Sequence, residues 1–346
     1  MQFYDWRKTF AYSRARWVIV VSSRGYGKTY GLRKQCVQDW IKRKRRFVEV
    51  VRYKSELPDI ARGYFDKLQV NGEFSEYEFK YELNSFYMRK VTDDNKNKWD
   101  CIGYIIALTD EQLAKRMTFS RVKRFIFDEG LIEHKDRYKR YLPREFERIV
   151  GLRSSVTRAQ PGEKDDSVFY VLGNAVDYTA EIFERLGIDK IPTYGRHVYS
   201  GGDVLLDYVE PIYYDEYMRN TVVGRALAGT SEGEKLFKNT FEGANKTYVE
   251  QLPKGSKFWR GYVFNGHVYA LWLSPDNFVH VTQKAPKSAK LAAFTLDDDR
   301  INYDLIRKSG VEARQLRVLF YRKLMRYESA SIRERYADML LTLGMV

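Results

Sequence analysis

Three short strings carry the residue types that chemistry on phosphate requires. The first is Ser22-Ser23-Arg24-Gly25-Tyr26-Gly27-Lys28-Thr29, between the apolar run Trp17-Val18-Ile19-Val20-Val21 and a helically spaced segment that begins at Lys28. It follows the P-loop pattern (Gly, four residues, Gly-Lys-Ser/Thr) at every position but the first, where Ser22 stands. Gly25 and Gly27 allow the backbone to curl and aim N–H groups at phosphate. Ser23, Arg24, Tyr26 and Tyr30 complete the candidate nucleotide-binding set. Lys28 has the reach for β- and γ-phosphates, Thr29 has a hydroxyl for Mg²⁺, and the helix starting there adds its positive end. The second string, Arg124-Phe125-Ile126-Phe127-Asp128-Glu129, is an apolar strand ending in two carboxylates. Such an Asp holds Mg²⁺ in P-loop proteins, and an adjacent Glu is placed to polarise an attacking water. A kinase has no need of that Glu, so the pair points to hydrolysis, with ATP and Mg²⁺ as cofactors. The third string is Leu172-Gly173-Asn174-Ala175, where Asn174 could sense a γ-phosphate or orient water. Taken singly, each string also fits a plainer account: a strand–helix turn, a solvated acidic turn, a strand-ending Asn in a turn. In sequence order they fit one site, with the Asp-Glu strand expected next to the P-loop strand in a sheet.

The elements that must position these residues read as a mainly parallel α/β sheet. Trp17 to Val21, 47–53, 101–108, 124–128 and 168–172 are buried-strand candidates. Leu32, Cys36, Val37, Trp40 and Ile41 fall at helical spacing, and the helix closes in the basic run Lys42-Arg43-Lys44-Arg45-Arg46. Ile60, Ala61, Tyr64, Phe65 and Leu68 predict another helix, residues 134–150 a third, and 76–90 an inserted hairpin turning at Asn84-Ser85. Strands alternating with helices imply helices on both faces of the sheet. The pattern changes at Ser200-Gly201-Gly202, so the first domain is expected to cover 1–199 and a linker or lid 200–228. A smaller α+β domain is expected over 229–346. In it, 257–264 and 267–273 flank Asn265-Gly266, a strong hairpin signal. A third strand follows at 278–282, then helices at 311–327 and 331–343.

Composition narrows the class. Lys plus Arg is 60 against 46 Asp plus Glu, a net charge of +14 that favours a polyanionic partner. With 44% apolar and 15% aromatic residues, intrinsic disorder is excluded. No run approaches the length of a membrane span, and no signal peptide is expected from Phe3-Tyr4-Asp5 onward. Two cysteines, Cys36 and Cys101, make no disulfide framework, and four scattered His make no metal site. Lys/Arg-dense stretches at 42–46, 135–144 and 307–335 are candidates for sequence-independent contact with phosphates, or plain solvated faces.

With these strings in view the chain resembles the DNA-packaging motor ATPases (encapsidation proteins) of small short-tailed phages of the phi29 type. The resemblance is carried by Ser23-Arg24-Gly25-Tyr26-Gly27-Lys28-Thr29-Tyr30, Arg52-Tyr53-Lys54-Ser55-Glu56-Leu57, Phe127-Asp128-Glu129, Asn174-Ala175-Val176, and Lys257-Phe258 with Asn265-Gly266, in the family's order. The Arg-Tyr-Lys-x-Glu-Leu string is the most specific, because generic P-loop proteins do not need it. The resemblance implies a three-layer α/β ATPase domain of the additional-strand, catalytic-Glu (ASCE) branch, followed by an RNase H-like domain without nuclease activity. It implies ATP-driven movement of double-stranded DNA into a prohead by a homo-oligomeric ring, a pentamer in the family. The ring docks on the phage portal, in some members with a prohead RNA ring, in the host cell cytoplasm without any membrane. Carried over, Lys28 and Thr29 bind phosphate and Mg²⁺, Asp128 is the metal aspartate and Glu129 the catalytic base. Arg24 is the basic residue inside the loop, and Lys115 a lysine acting across the subunit interface. The trans-acting arginine falls in 148–158, with Arg153 first choice and Arg158 the reserve. Two other readings share these residues: a non-motor P-loop adaptor that binds nucleic acid, and an active terminase with a live nuclease. The nuclease is expected to be absent, because 257–264 carries no acid and Asp297-Asp298-Asp299 fits a solvated turn.

Overall fold

Four of the five residues of β1 (Trp17–Val21) are fully buried, as a central strand covered on both faces must be. A computed structural model describes residues 3–91, 98–110, 114, 119–132, 141–142, 144–158, 165–175, 180–188, 193–230, 233, 237, 248–264, 266–293, 304–305 and 310–342. Two compact units divide the chain, residues 1–242 and 243–346.

The first unit holds nine described strands: β1, β2 (Arg46–Val51), β3 (Tyr77–Glu82), β4 (Ser85–Lys90), β5 (Asp100–Ala107), β6 (Val122–Phe127), β7 (Val168–Gly173), β8 (Gly195–Tyr199) and β9 (Val204–Tyr208). Their order in the sheet is β3-β4-β5-β2-β6-β7-β1-β9-β8. The six central strands run parallel, and the hairpins at the two edges are antiparallel. Alternate residues of the parallel strands enter two cores. Val18, Val20, Phe47 and Val51 pack with Leu32, Cys36 and Trp40 of the helix Lys28–Arg43, so Cys36 is a core residue as expected. Ile19, Val21, Val48 and Val50 pack with Ile149, Leu152 and Val156 of the helix Glu145–Thr157 on the other face. This is the three-layer α/β architecture.

Five expectations change, one of them the helix expected through Ile60 and Leu68, which is two short helices, Leu57–Arg62 and Asp66–Val70. The Asp-Glu strand β6 is not the neighbour of β1, because β7 lies between them, which is the additional-strand arrangement. The first unit does not end at residue 199. All five residues of β9 are buried and pair with β1, so 204–208 completes the sheet rather than opening a linker. Asp207 hid this strand by breaking its apolar run; its carboxylate accepts hydrogen bonds from Tyr4 Oη (2.7 Å) and Arg196 Nε (3.0 Å). The helix expected over 134–150 is observed as Glu145–Thr157, while 133–140 lies outside the described residues. The hairpin turn sits one residue earlier than expected, at Leu83-Asn84, both with positive φ (47° and 59°).

The second unit contains β10 (Lys257–Phe264), β11 (His267–Leu273), β12 (Val279–Thr282), β13 (Leu291–Ala293), β14 (Asp304–Leu305) and β15 (Met325–Tyr327), in the order β14-β13-β10-β11-β12-β15. The first three form an antiparallel meander, and β13 and β14 follow in parallel beside β10. Read outward from β12, this is the RNase H-like strand order 3-2-1-4-5, with β15 added at the β12 edge. The helix expected to run through Tyr327 stops at Tyr321. Lys323 turns the chain at φ 57°, and Met325–Tyr327 becomes a strand parallel to β12. Asn265 and Asp297 to Asp299 lie outside the described residues.

Candidate active site

The P-loop string leaves the C-terminal end of β1 and enters the helix Lys28–Arg43. Gly25 and Gly27 both adopt left-handed φ (76° and 79°), which only glycine takes without strain. Ser22, where the pattern has glycine, shows no such need. It extends β1, its N–H donating to the Gly173 carbonyl at 3.2 Å. The departure from the pattern is therefore harmless to the loop. Lys28 is buried, and its ammonium donates to the carbonyls of Ser22 (2.9 Å) and Ser23 (3.2 Å) and to Asn174 Oδ1 (3.4 Å). Burial lowers its pKa from 10.5 to about 8, with Asp128 opposing the shift and Arg24 adding to it. Lys28 thus sits inside the loop, among groups that phosphate oxygens can replace. A cavity of 630 Å³ opens from Gly25–Thr29 and runs past Phe3, Tyr30, Tyr64, Lys67, Asn71 and Glu73. That volume suits a nucleotide. Tyr30 Oη donates to Glu73 on its wall (3.3 Å).

Asp128 follows β6 and is half-buried, whereas Glu129 is exposed. Glu129 has φ 50°, an uncommon and strained backbone for a residue with a side chain. Four hydrogen bonds hold the turn: Glu129 N–H donates to Asp128 Oδ1 (3.1 Å), Gly130 N–H donates to the Leu172 carbonyl (2.9 Å), and Arg52 donates to the carbonyls of Glu129 (3.3 Å) and Gly130 (3.1 Å). Asn174 follows β7, between the two loops. Lys28, Asp128, Glu129 and Asn174 therefore gather at one edge of the sheet, beyond the C-terminal ends of β1, β6 and β7. The Thr29 hydroxyl and the Asp128 carboxylate are hard oxygen donors of the kind Mg²⁺ takes. Asp128 lies close enough to act electrostatically on Lys28.

The family model of the podovirus DNA encapsidation protein (Gp16) matches residues 1–342. The chain belongs to this family. The DNA packaging protein of Bacillus phage phi29 is 26% identical over 335 residues, covering 96% of this chain and 95% of that protein. The DNA packaging protein of Bacillus phage B103 is 26% identical over 318 residues, covering 91% and 93%. Among solved structures, the bacteriophage phi29 viral genome packaging motor assembly matches with a TM-score of 0.66 at 23% identity, covering 99% of this chain and 100% of that one. The N-terminal domain of the DNA packaging ATPase from phi29 matches with a TM-score of 0.50 at 26% identity, covering 60% and 95%.

The encapsidation-protein string Arg52 to Leu57 has a local physical account that sequence reasoning missed. The Glu56 carboxylate accepts the backbone N–H groups of Arg52 (3.1 Å) and Tyr53 (3.0 Å). That aims the buried Arg52 guanidinium at the Glu129 turn. There it also forms a fork with Glu145, Nε to Oε2 at 2.7 Å and Nη2 to Oε1 at 3.0 Å. Arg52 was legible only within a family string, and Glu145 only as part of the helix expected over 134–150. The N-terminal segment was missed as well. Tyr4 N–H donates to the Tyr26 carbonyl (2.9 Å), and Trp6 Nε1 donates to the Lys28 carbonyl (3.0 Å). Gly31, inside a helix, was the available signal: a Cβ there would lie 2.5 Å from the Trp6 ring. Beneath the site, the buried Glu49 carboxylate accepts from Arg33 (2.8 Å) and Tyr64 (2.7 Å), and burial raises its pKa against the pull of Arg33.

The trans-acting assignments fare differently. Lys115 lies outside the described residues. Arg153 is held within its own chain. Its guanidinium donates to Asp165 Oδ2 (3.0 Å) and the Ser167 carbonyl (3.0 Å), over the Trp17 ring at 5.3 Å. These partners sit where β1 and β7 begin, at the edge away from Lys28, so its first-choice assignment is corrected to a structural role. Arg158, at the C-terminal end of the same helix, is exposed. Arg24 is exposed at the tip of the P-loop.

Proposed function

We propose that this encapsidation protein is an ATP-driven motor that moves double-stranded DNA into a viral prohead. The observation that carries the reading is the gathering of Lys28, Asp128, Glu129 and Asn174 at one sheet edge, with β7 as the additional strand. ATP places its phosphates against the N–H groups of the Ser23–Thr29 loop, and its base and ribose enter the cavity beside Phe3 and Tyr30. Lys28 exchanges the Ser22 and Ser23 carbonyls for phosphate oxygens, with Arg24 closing over them. Thr29 and Asp128 would hold Mg²⁺, which would supply positive charge against the phosphates. Glu129, fixed by the Arg52 brace, accepts a proton from the attacking water, and Asn174 orients that water. Subunits act in a homo-oligomeric ring, pentameric as in the family, in which Arg158 and Lys115 reach a neighbour's nucleotide. The ring docks on the portal of the prohead, with a prohead RNA ring as a further partner, in the host cytoplasm. The RNase H-like unit has no nuclease activity, supported by a central strand β10 without an acid.

The test separates binding from hydrolysis. Lys28→Ala should lose Mg²⁺–ATP binding, whereas Glu129→Gln should bind ATP and not turn it over. Wild-type hydrolysis should rise on adding duplex DNA. Wild-type turnover in Glu129→Gln would place the base elsewhere, and an ATPase indifferent to DNA would remove the motor.

A further inference from the structure

The parallel strands of the first unit carry different chemistries at their two ends. Ser22, Arg52, Asp128 and Asn174 follow the C-terminal ends of β1, β2, β6 and β7. At the opposite edge, Lys42, Arg43, Lys44 and Arg45 precede β2, Lys98 precedes β5 and Arg121 precedes β6. β5, β2 and β6 are adjacent and parallel, so these cations form one corner. Strands of six to eight residues, at about 3.3 Å each, hold that corner roughly 20–26 Å from the nucleotide edge. Among the described residues the acids nearby are few and engaged, Glu78 by Arg89 among them. Buried Asp39 is taken by Arg124 (2.7 Å) and Arg43 (3.3 Å), and Asp100 lies 4.0 Å from Lys44. Lys42, Arg45, Lys98 and Arg121 have no ion-pair partner among the described residues. Lys44 and Arg121 hold left-handed φ (54° and 58°), so cations occupy two backbone positions that glycine fills more cheaply. A concavity of 250 Å³, lined by Lys44, Arg89, Lys90, Lys98, Tyr77 and Asp100, opens between the helix end and the β3–β4 hairpin.

We propose that this corner docks the phosphate backbone of double-stranded DNA, on the opposite end of the strands from the hydrolysis site. The partner follows from the motor reading, on which the inference rests; the surface does not. Lys and Arg heads make phosphate contacts that carry no sequence information, as a translocating contact requires. Trp40 is buried beneath Lys44 (5.0 Å) and Arg46 (5.4 Å), so its ring supports cations and offers no platform for an unstacked base. The corner therefore suits a duplex rather than a single strand.

The experiment measures anisotropy of a labelled DNA duplex against salt with the full chain. The variants are Lys42→Gln/Arg45→Gln/Lys98→Gln and, in the second unit, Arg314→Gln/Arg322→Gln/Lys323→Gln. Loss of three phosphate contacts should make the log–log slope shallower by about 2.7, at about 0.9 each, and weaken binding about tenfold at low salt, in the first variant alone. Lys98→Gln by itself, a single exposed change, should remove about 0.9 and gives the answer should the triple variant unfold. An unchanged slope, or an equal change in the second-unit variant, overturns the assignment. Stronger competition by an RNA duplex of the same sequence overturns the choice of DNA. Wild-type protein that neither binds the duplex nor is stimulated by it would instead defeat the motor reading, and is measured first.

Discussion

Replacing Arg52 by Met tests how the Glu129 turn is held. Arg52 and Glu145 are 7% and 5% exposed, and they meet through two hydrogen bonds. Removing the guanidinium leaves a buried carboxylate unpaired and frees two carbonyls at Glu129 and Gly130. Breaking a buried pair from one side costs about 3–5 kcal/mol. For a unit of this size each kcal/mol moves the melting midpoint by about 2–4 °C, so the midpoint of the first unit should fall by roughly 6–20 °C. The double variant Arg52→Met/Glu145→Leu removes both charges and fills the space with apolar groups, and should recover most of that loss. It should not recover turnover, because the Glu129 turn has lost its donor. Thermal unfolding followed by circular dichroism, with steady-state ATPase on the same samples, reads both quantities. A single variant within 1 kcal/mol of wild type would refute the burial argument. A double variant hydrolysing at the wild-type rate would refute the brace.

The two arginines of the helix Glu145–Thr157 and its end should separate. Arg153→Ala should lower the melting midpoint, losing charge-assisted bonds worth about 1.5–3 kcal/mol, while Arg158→Ala leaves it in place and cuts hydrolysis by about 10³–10⁵, with partial rescue on mixing with Glu129→Gln. Gly31→Ala forces a Cβ to within 2.5 Å of Trp6, and should cost about 1–3 kcal/mol of overpacking, read as a lowered melting midpoint. His280 is buried, with neither ring nitrogen hydrogen-bonded among the described residues, and burial lowers its pKa below 6.5 while Glu250 and Asp276 oppose. The unfolded chain therefore binds the extra proton first, and stability should fall as pH drops below about 6.5. His280→Val should flatten that dependence in a pH series of thermal melts.

The residues proposed to act on phosphate were legible because their chemistry is local. A glycine curl, a lysine one residue on and a helix start are all set by neighbours in the chain, as are an apolar strand and the carboxylates that end it. Apolar period and turn residues placed β1, β2, β5, β6 and β7 for the same reason. What the chain order could not supply was adjacency. That β7 stands between β1 and β6, and that β9 rather than a linker lies beside β1, depends on which apolar faces close together in space. Asp207 reads as a break in a strand until Tyr4 and Arg196 are seen to satisfy it. Arg153 reads as a free cation until Asp165, Ser167 and Trp17 enclose it. Arg52 meets Glu145 across ninety-three positions, and no periodicity carries over that distance. Local sterics and patterning determine the elements and the reactive groups at their ends. Long-range burial decides which charged groups are held inside the fold and which remain for a partner, because a buried charge must be paired and an exposed one need not be.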